Sequence, residues 1–106
     1  MIDPFAELLA APGVEEVCEL RGRFGFMAFH GGALEEMTDV IARAAAERTG
    51  ASYYGVHQPK GMERHIPSTR FDPVHSPRLR SFVDHVHTVI TVHGFGRQGY
   101  FTTLLM

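Results

Sequence analysis

The run Phe24-Gly25-Phe26-Met27-Ala28-Phe29-His30-Gly31-Gly32 decides the fold. Its first six residues are continuously apolar and too few for a core helix. They predict a strand buried on both faces, which belongs in a sheet covered on both sides. His30-Gly31-Gly32 ends the strand in a sharp turn where backbone passes close to something. Phe24, Phe26 and Phe29 are most simply core residues.

Outward from this strand, helices and strands alternate. Residues 33–48 predict a helix, with Leu34, Met37, Ile41, Ala44, Ala45 and Arg48 at helical spacing and Thr49-Gly50 closing it. Residues 52–57, with Tyr53, Tyr54 and Val56, predict a strand, and the tyrosine pair reads as sheet packing. A loop through Pro59 and Gly61 leads to the proline-bounded segment 65–73, which has no clean period. Ser76-Pro77 is a capping residue followed by proline at the first helical position. Leu79, Phe82, Val83 and Val86 then share one face of a helix over 77–87. Thr88-Val89-Ile90-Thr91-Val92 is the clearest strand. Upstream, residues 15–21 suit a strand in which Cys18 serves as a small apolar residue. Residues 1–14 read as a short helix or tail ended by Pro12-Gly13. The expectation is an α/β fold: a parallel or mixed central sheet flanked by helices 33–48 and 77–87, joined by right-handed crossovers.

Composition bounds the rest. A chain of 106 residues suits one small domain with a modest core. Its net charge of -2 supplies no field for nucleic acid or an anionic membrane. One cysteine excludes an internal disulfide and a cysteine-only zinc finger. The start of the chain has no positive n-region, and no apolar run approaches the roughly 20 residues of a bilayer span. The cytoplasm is the default location. Seven histidines is a high count, and histidine is the commonest metal ligand.

Two of the strands end alike, in Phe29-His30-Gly31 and Val92-His93-Gly94. Ligands of open α/β sheets bind beyond the carboxyl ends of the strands, and parallel strands bring both histidines to that edge. Glu35 follows His30 by five residues, at the start of the next helix, where a strand-to-helix turn can fold it back. Two histidines and a carboxylate make the donor set of catalytic zinc sites, which leave a fourth position for water. Taken singly, each feature also reads as a hydrogen-bonded turn histidine or as an acid paired with the helix dipole. The conjunction is what points to zinc.

Three strings extend the pattern: His30-Gly31-Gly32-Ala33-Leu34-Glu35, then His65-Ile66-Pro67-Ser68-Thr69-Arg70-Phe71-Asp72, then Ile90-Thr91-Val92-His93-Gly94. In this order and spacing they resemble the poly-γ-glutamate hydrolase family over roughly residues 15–97. The resemblance implies a zinc carboxypeptidase-like α/β domain that cleaves γ-glutamyl amide bonds, with His30, Glu35 and His93 as zinc ligands. It implies that His65, Ser68, Thr69 and Arg70 bind substrate, an anionic glutamyl peptide or polymer, with Arg70 clamping a carboxylate. Arg97 is a further candidate for that role. Lys60 reads as solvated surface. His85 and His87 form a His-x-His pair at a helix end, where a dipole role is the simpler reading. His57 and His75 read as structural or exposed.

The family also carries a catalytic glutamate on a later strand, and no glutamate follows His93 here. Glu36 points away from Glu35 around the helix, and nothing fixes Glu63 near the site. The catalytic base is therefore unassigned. The ending Tyr100–Met106 reads as the start of another element. The expectation is a truncated domain, 1–106, with weak or no activity and a sheet edge through which it self-associates. Related zinc amidases of the N-formylglutamate or cell-wall type share such ligand sets, although the five-residue step from His30 to Glu35 argues against the cell-wall group. A metal-binding, partner-completed module that is not an enzyme is the other alternative.

Overall fold

The computed structural model describes residues 3–94. The central element is β2 (Phe24–Gly32), the strand expected from the apolar run. Parallel partners flank it: β3 (Ser52–Gln58) on one side and β4 (Thr88–Thr91) on the other. A fourth strand, β1 (Glu15–Glu19), adds antiparallel to β3. The order β1-β3-β2-β4 makes a mixed sheet, within the expected α/β class.

Alternation along the strands divides the core between two faces. On one face Met27, Phe29, Tyr54 and Val56 meet Phe5 and Leu8 of α1 (Pro4–Ala10), Leu79 and Phe82 of α3 (Pro77–His85), and Ile66 and Phe71 of the intervening loop. Asp3 caps α1 by accepting the N–H groups of Phe5 and Ala6, and Ser76 caps α3 by accepting that of Leu79. Phe82 lies directly over Gly25: a Cβ there would sit 2.6 Å from its ring. That close approach explains a glycine inside a central strand. On the other face α2 (Thr38–Thr49) packs through Ala42 and Ala46 onto Ala28 and Tyr53.

The α2 helix corrects two expectations. It begins at Thr38, not near residue 33, so Leu34 and Glu35 lie in the turn before it. Its buried residues are Thr38, Ala42 and Ala46, whereas Met37 and Ile41 of the expected stripe are 56% and 55% exposed. The cause is distance. Small side chains let the helix lie close on a sheet face already filled by the Tyr53 ring, and its bulkier residues turn outward. Two further expectations fail at the rim, because Phe24 and Val83 are 40% and 39% exposed. Among the described residues no helix is long and apolar enough to cross a membrane.

Arg43 of α2 reaches across to β1, its Nε donating to both Glu19 carboxylate oxygens at 3.2 Å. These bonds hold the Glu19 carboxyl below its ordinary value. A depressed carboxyl stabilises the fold above its unfolded value, and that contribution disappears as pH falls through the folded value. Arg43→Ala is expected to cost about 1 kcal/mol or less near neutrality. The cost is expected to shrink as pH falls through the lowered Glu19 value, where the carboxylate becomes protonated. Urea unfolding of both proteins over a series of falling pH checks this.

Candidate metal centre

A break in the strand register prepares the site. Ala28 pairs with Gly55, but Gly31 pairs with His57, so β2 carries one residue more than β3 between these points. The extra residue is a bulge at Phe29-His30, a device that re-aims side chains beside functional sites. Phe29 stacks on Phe71 at 4.2 Å and 23°, and His30 meets the same ring edge-on at 5.8 Å and 82°. A regular strand would send two consecutive residues to opposite faces.

His30 is 2% exposed. Its Nε2 lies 2.6 Å from the Ile66 carbonyl oxygen. A carbonyl only accepts, so Nε2 carries a proton, and in the neutral ring Nδ1 is the free lone pair. Nδ1 is buried and has no hydrogen-bond partner. It faces Glu35 Oε1 at 3.5 Å. With the ring neutral, two acceptors face each other in a buried place, and a positive group between them, a proton or a metal ion, would satisfy both.

Glu35 is held from three sides. Gly32, at φ +71°, reverses the chain after His30, and the Glu35 N–H donates to the His30 carbonyl at 3.0 Å. Thr38 then donates its hydroxyl (2.7 Å) and its N–H (3.2 Å) to the Glu35 carbonyl. The Gly94 N–H donates to Glu35 Oε1 at 3.0 Å. A Cβ at Gly94 would stand 2.9 Å from Glu35 Cβ. The glycine of the second His-Gly pair is thus what lets that backbone reach the carboxylate.

His93 comes just after β4, which runs parallel to β2, so both histidines reach the same sheet edge. Their ring centroids are 5.9 Å apart. One ligand atom each from His30, Glu35 and His93 lies within 4.8 Å of the others. A tetrahedral site with bonds of about 2.1 Å has edges of about 3.4 Å. The His30–Glu35 separation of 3.5 Å already matches that edge. These three residues can hold a metal ion, and with three protein donors a fourth position stays open.

The other candidate residues divide. His65 joins the group: its ring stacks on His30 at 4.3 Å and 21°, and its Nε2 lies 3.6 Å from Glu35 Oε2. Ser68, Thr69 and Arg70 form an exposed 3-10 turn just before the buried Phe71. Among the described residues their side chains make no hydrogen bond to the three donors. Arg97 and residues 100–106 lie outside the described residues. Glu36 and Glu63 are exposed, and among the described residues neither forms an ion pair with His30, His65 or His93. His85 ties α3 to the β1–β2 loop by donating to the Arg21 carbonyl at 2.7 Å.

Sequence reading missed four supports of the site: the bulge, the Ile66 carbonyl, the Gly94 N–H and Thr38. Only Thr38 left a trace. Thr38-Asp39 is a pair of helix-start residue types, and it marks where α2 begins.

A model of the family described as poly-gamma-glutamate hydrolase matches residues 6–105. No curated protein and no solved structure matches the chain.

Proposed function

The chain belongs to the poly-γ-glutamate hydrolase family, and from that membership we propose a zinc-dependent hydrolase of γ-glutamyl amide bonds whose metal is held by His30, Glu35 and His93. The observation that carries this reading is the buried Nδ1 of His30, which has no hydrogen-bond partner and faces the Glu35 carboxylate. Two imidazoles and a carboxylate are a zinc donor set. When bound, zinc supplies Lewis acidity and lowers the pKa of its water to about 7.

The chain's own residues do the rest. The Ile66 carbonyl keeps the proton on His30 Nε2 and so keeps Nδ1 available. Thr38 fixes the Glu35 backbone by donating to its main-chain carbonyl, and the Gly94 N–H fixes the carboxylate. His65 stacks on His30 and brings its Nε2 to 3.6 Å from the Glu35 carboxylate. In a γ-linked glutamate chain every residue keeps a free α-carboxylate. The exposed Ser68-Thr69-Arg70 turn, joined to the ring that supports His30, offers hydroxyls and a guanidinium to such a group, and Arg97 is a further candidate. Among the described residues no second carboxylate pairs with His30 or His65. Turnover by residues 1–106 is accordingly expected to be weak beside binding.

The test is to strip the protein with a chelator, add zinc back, and follow zinc binding and amine release from γ-linked glutamate oligomers. Zinc-dependent release supports the whole reading. Tight zinc binding without recognition of the oligomer would favour a metal-binding module instead, and absence of zinc binding would end the proposal. Arg70→Gln is expected to weaken oligomer binding by roughly 10- to 100-fold, the worth of about 1.5–3 kcal/mol for hydrogen bonds to a charged group. Zinc affinity should be unchanged in that variant. Calorimetric titration of the zinc-loaded proteins measures both.

A further inference from the structure

His30 and Glu35 are joined through Gly31-Gly32, and a glycine pair is the linkage that loses most conformational freedom on ordering. Something must hold it. Gly32 is pressed against β3, where a Cβ would lie 2.3 Å from the Gln58 carbonyl oxygen, and Ala33 donates its N–H to that oxygen at 3.0 Å. The opposite side is held by Asp39 in the first turn of α2. Its Oδ1 accepts the Gly32 N–H at 3.1 Å. A Cβ at Gly31 would stand 2.8 Å from Asp39 Cβ and 3.0 Å from His57 Cδ2. The His57 ring is itself pinned at both nitrogens: Nδ1 donates to Glu15 Oε1 at 3.3 Å, and Nε2 accepts the Tyr53 hydroxyl at 2.7 Å. Its Nε2 lies 3.9 Å from Asp39 Oδ2. A side-chain series thus runs from β1 through β3 to Asp39 and ends on the turn between two candidate ligands.

We propose that Asp39 is a positioning residue for the metal centre, its carboxylate holding the Gly31-Gly32 turn so that His30 and Glu35 are spaced before the ion arrives. The inference rests on the zinc reading above. Without Asp39 the ion must order the turn as it binds, and that cost is subtracted from affinity. Outer groups of this kind are worth roughly 10- to 100-fold in metal affinity.

The experiment is zinc competition against a chromophoric chelator on the full chain, with cobalt(II) absorption as a second readout of donor geometry. Asp39→Ala should bind zinc roughly 10- to 100-fold more weakly than the parent and show displaced cobalt bands. Asp39→Asn keeps an oxygen for the Gly32 N–H and should recover most of the affinity and the parent spectrum. If circular dichroism shows that Asp39→Ala does not fold, Asp39→Ser carries the same expectation, because serine suits a helix N-terminus but is too short to reach Gly32. Parent-like affinity in the alanine or serine variant would overturn the role of Asp39 while leaving the zinc site standing. Asparagine as weak as alanine would overturn the hydrogen-bond mechanism. A parent that binds no zinc would remove the underlying reading, a result separable from the others.

Discussion

Glu35→Gln is expected to lower zinc affinity by more than about 100-fold while changing the stability of the metal-free protein by about 1 kcal/mol or less. The first half follows from losing a charged donor. A direct ligand counts for more than the supporting groups, whose removal costs about 10- to 100-fold. The second half follows from the geometry of the metal-free site. Glu35 Oε1 faces His30 Nδ1 at 3.5 Å and also accepts the Gly94 N–H at 3.0 Å. The Gly94 N–H and His30 Nδ1 both meet that one oxygen, so a glutamine in its place satisfies one of them and not both. A gain at one partner is offset by a loss at the other, and apo stability should change by about 1 kcal/mol or less. If Glu35 were only an acid at a helix start, the same change would cost about 0.3–1 kcal/mol and leave zinc binding untouched. The two accounts differ by two orders of magnitude for the metal. Urea unfolding of the stripped proteins, together with chelator competition, decides between them.

What the sequence disclosed about this centre follows from how local each feature is. β2 and β4 were legible because apolar, β-prone runs that stop at His-Gly hardly fit another element. The convergence of His30, Glu35 and His93 was legible because parallel strands deliver their ends to one edge. The phase of α2 was not. Periodicity arguments weight large apolar side chains, and here Ala42 and Ala46 make the contact while Met37 and Ile41 face solvent. The bulge at Phe29-His30 leaves no mark in residue types, because it is a property of pairing between two strands. The acceptor for His30 Nε2 is a main-chain carbonyl 36 residues away, and any residue at position 66 would offer one. What selects Ile66 is its own burial beside Phe71, a tertiary fact.

That tertiary fact has an expected consequence at Phe71. Its ring is 6% exposed, 4.7 Å from Phe5 and 4.2 Å from Phe29, and it supports the edge of His30. Phe71→Ala should cost about 3–5 kcal/mol, as removal of a well-packed phenylalanine does. Against a total stability of about 5–15 kcal/mol this is a large fraction. The loss should also reach the metal. Ile66 belongs to the same apolar cluster, and its carbonyl fixes which nitrogen of His30 holds the proton. A loosened 66–71 segment lets that carbonyl move away. His30 can then put its proton on Nδ1, the nitrogen the metal needs bare. Zinc at 100 times its dissociation constant stabilises a protein by about 2.7 kcal/mol. The same zinc concentration should therefore stabilise Phe71→Ala by distinctly less than the parent. Phe71→Leu, which refills most of the space, should restore part of both losses. Unfolding each protein in urea with and without zinc separates the effects. A Phe71→Ala variant that loses stability yet gains as much from zinc as the parent would show that the aromatic cluster supports the fold alone and does not tune His30.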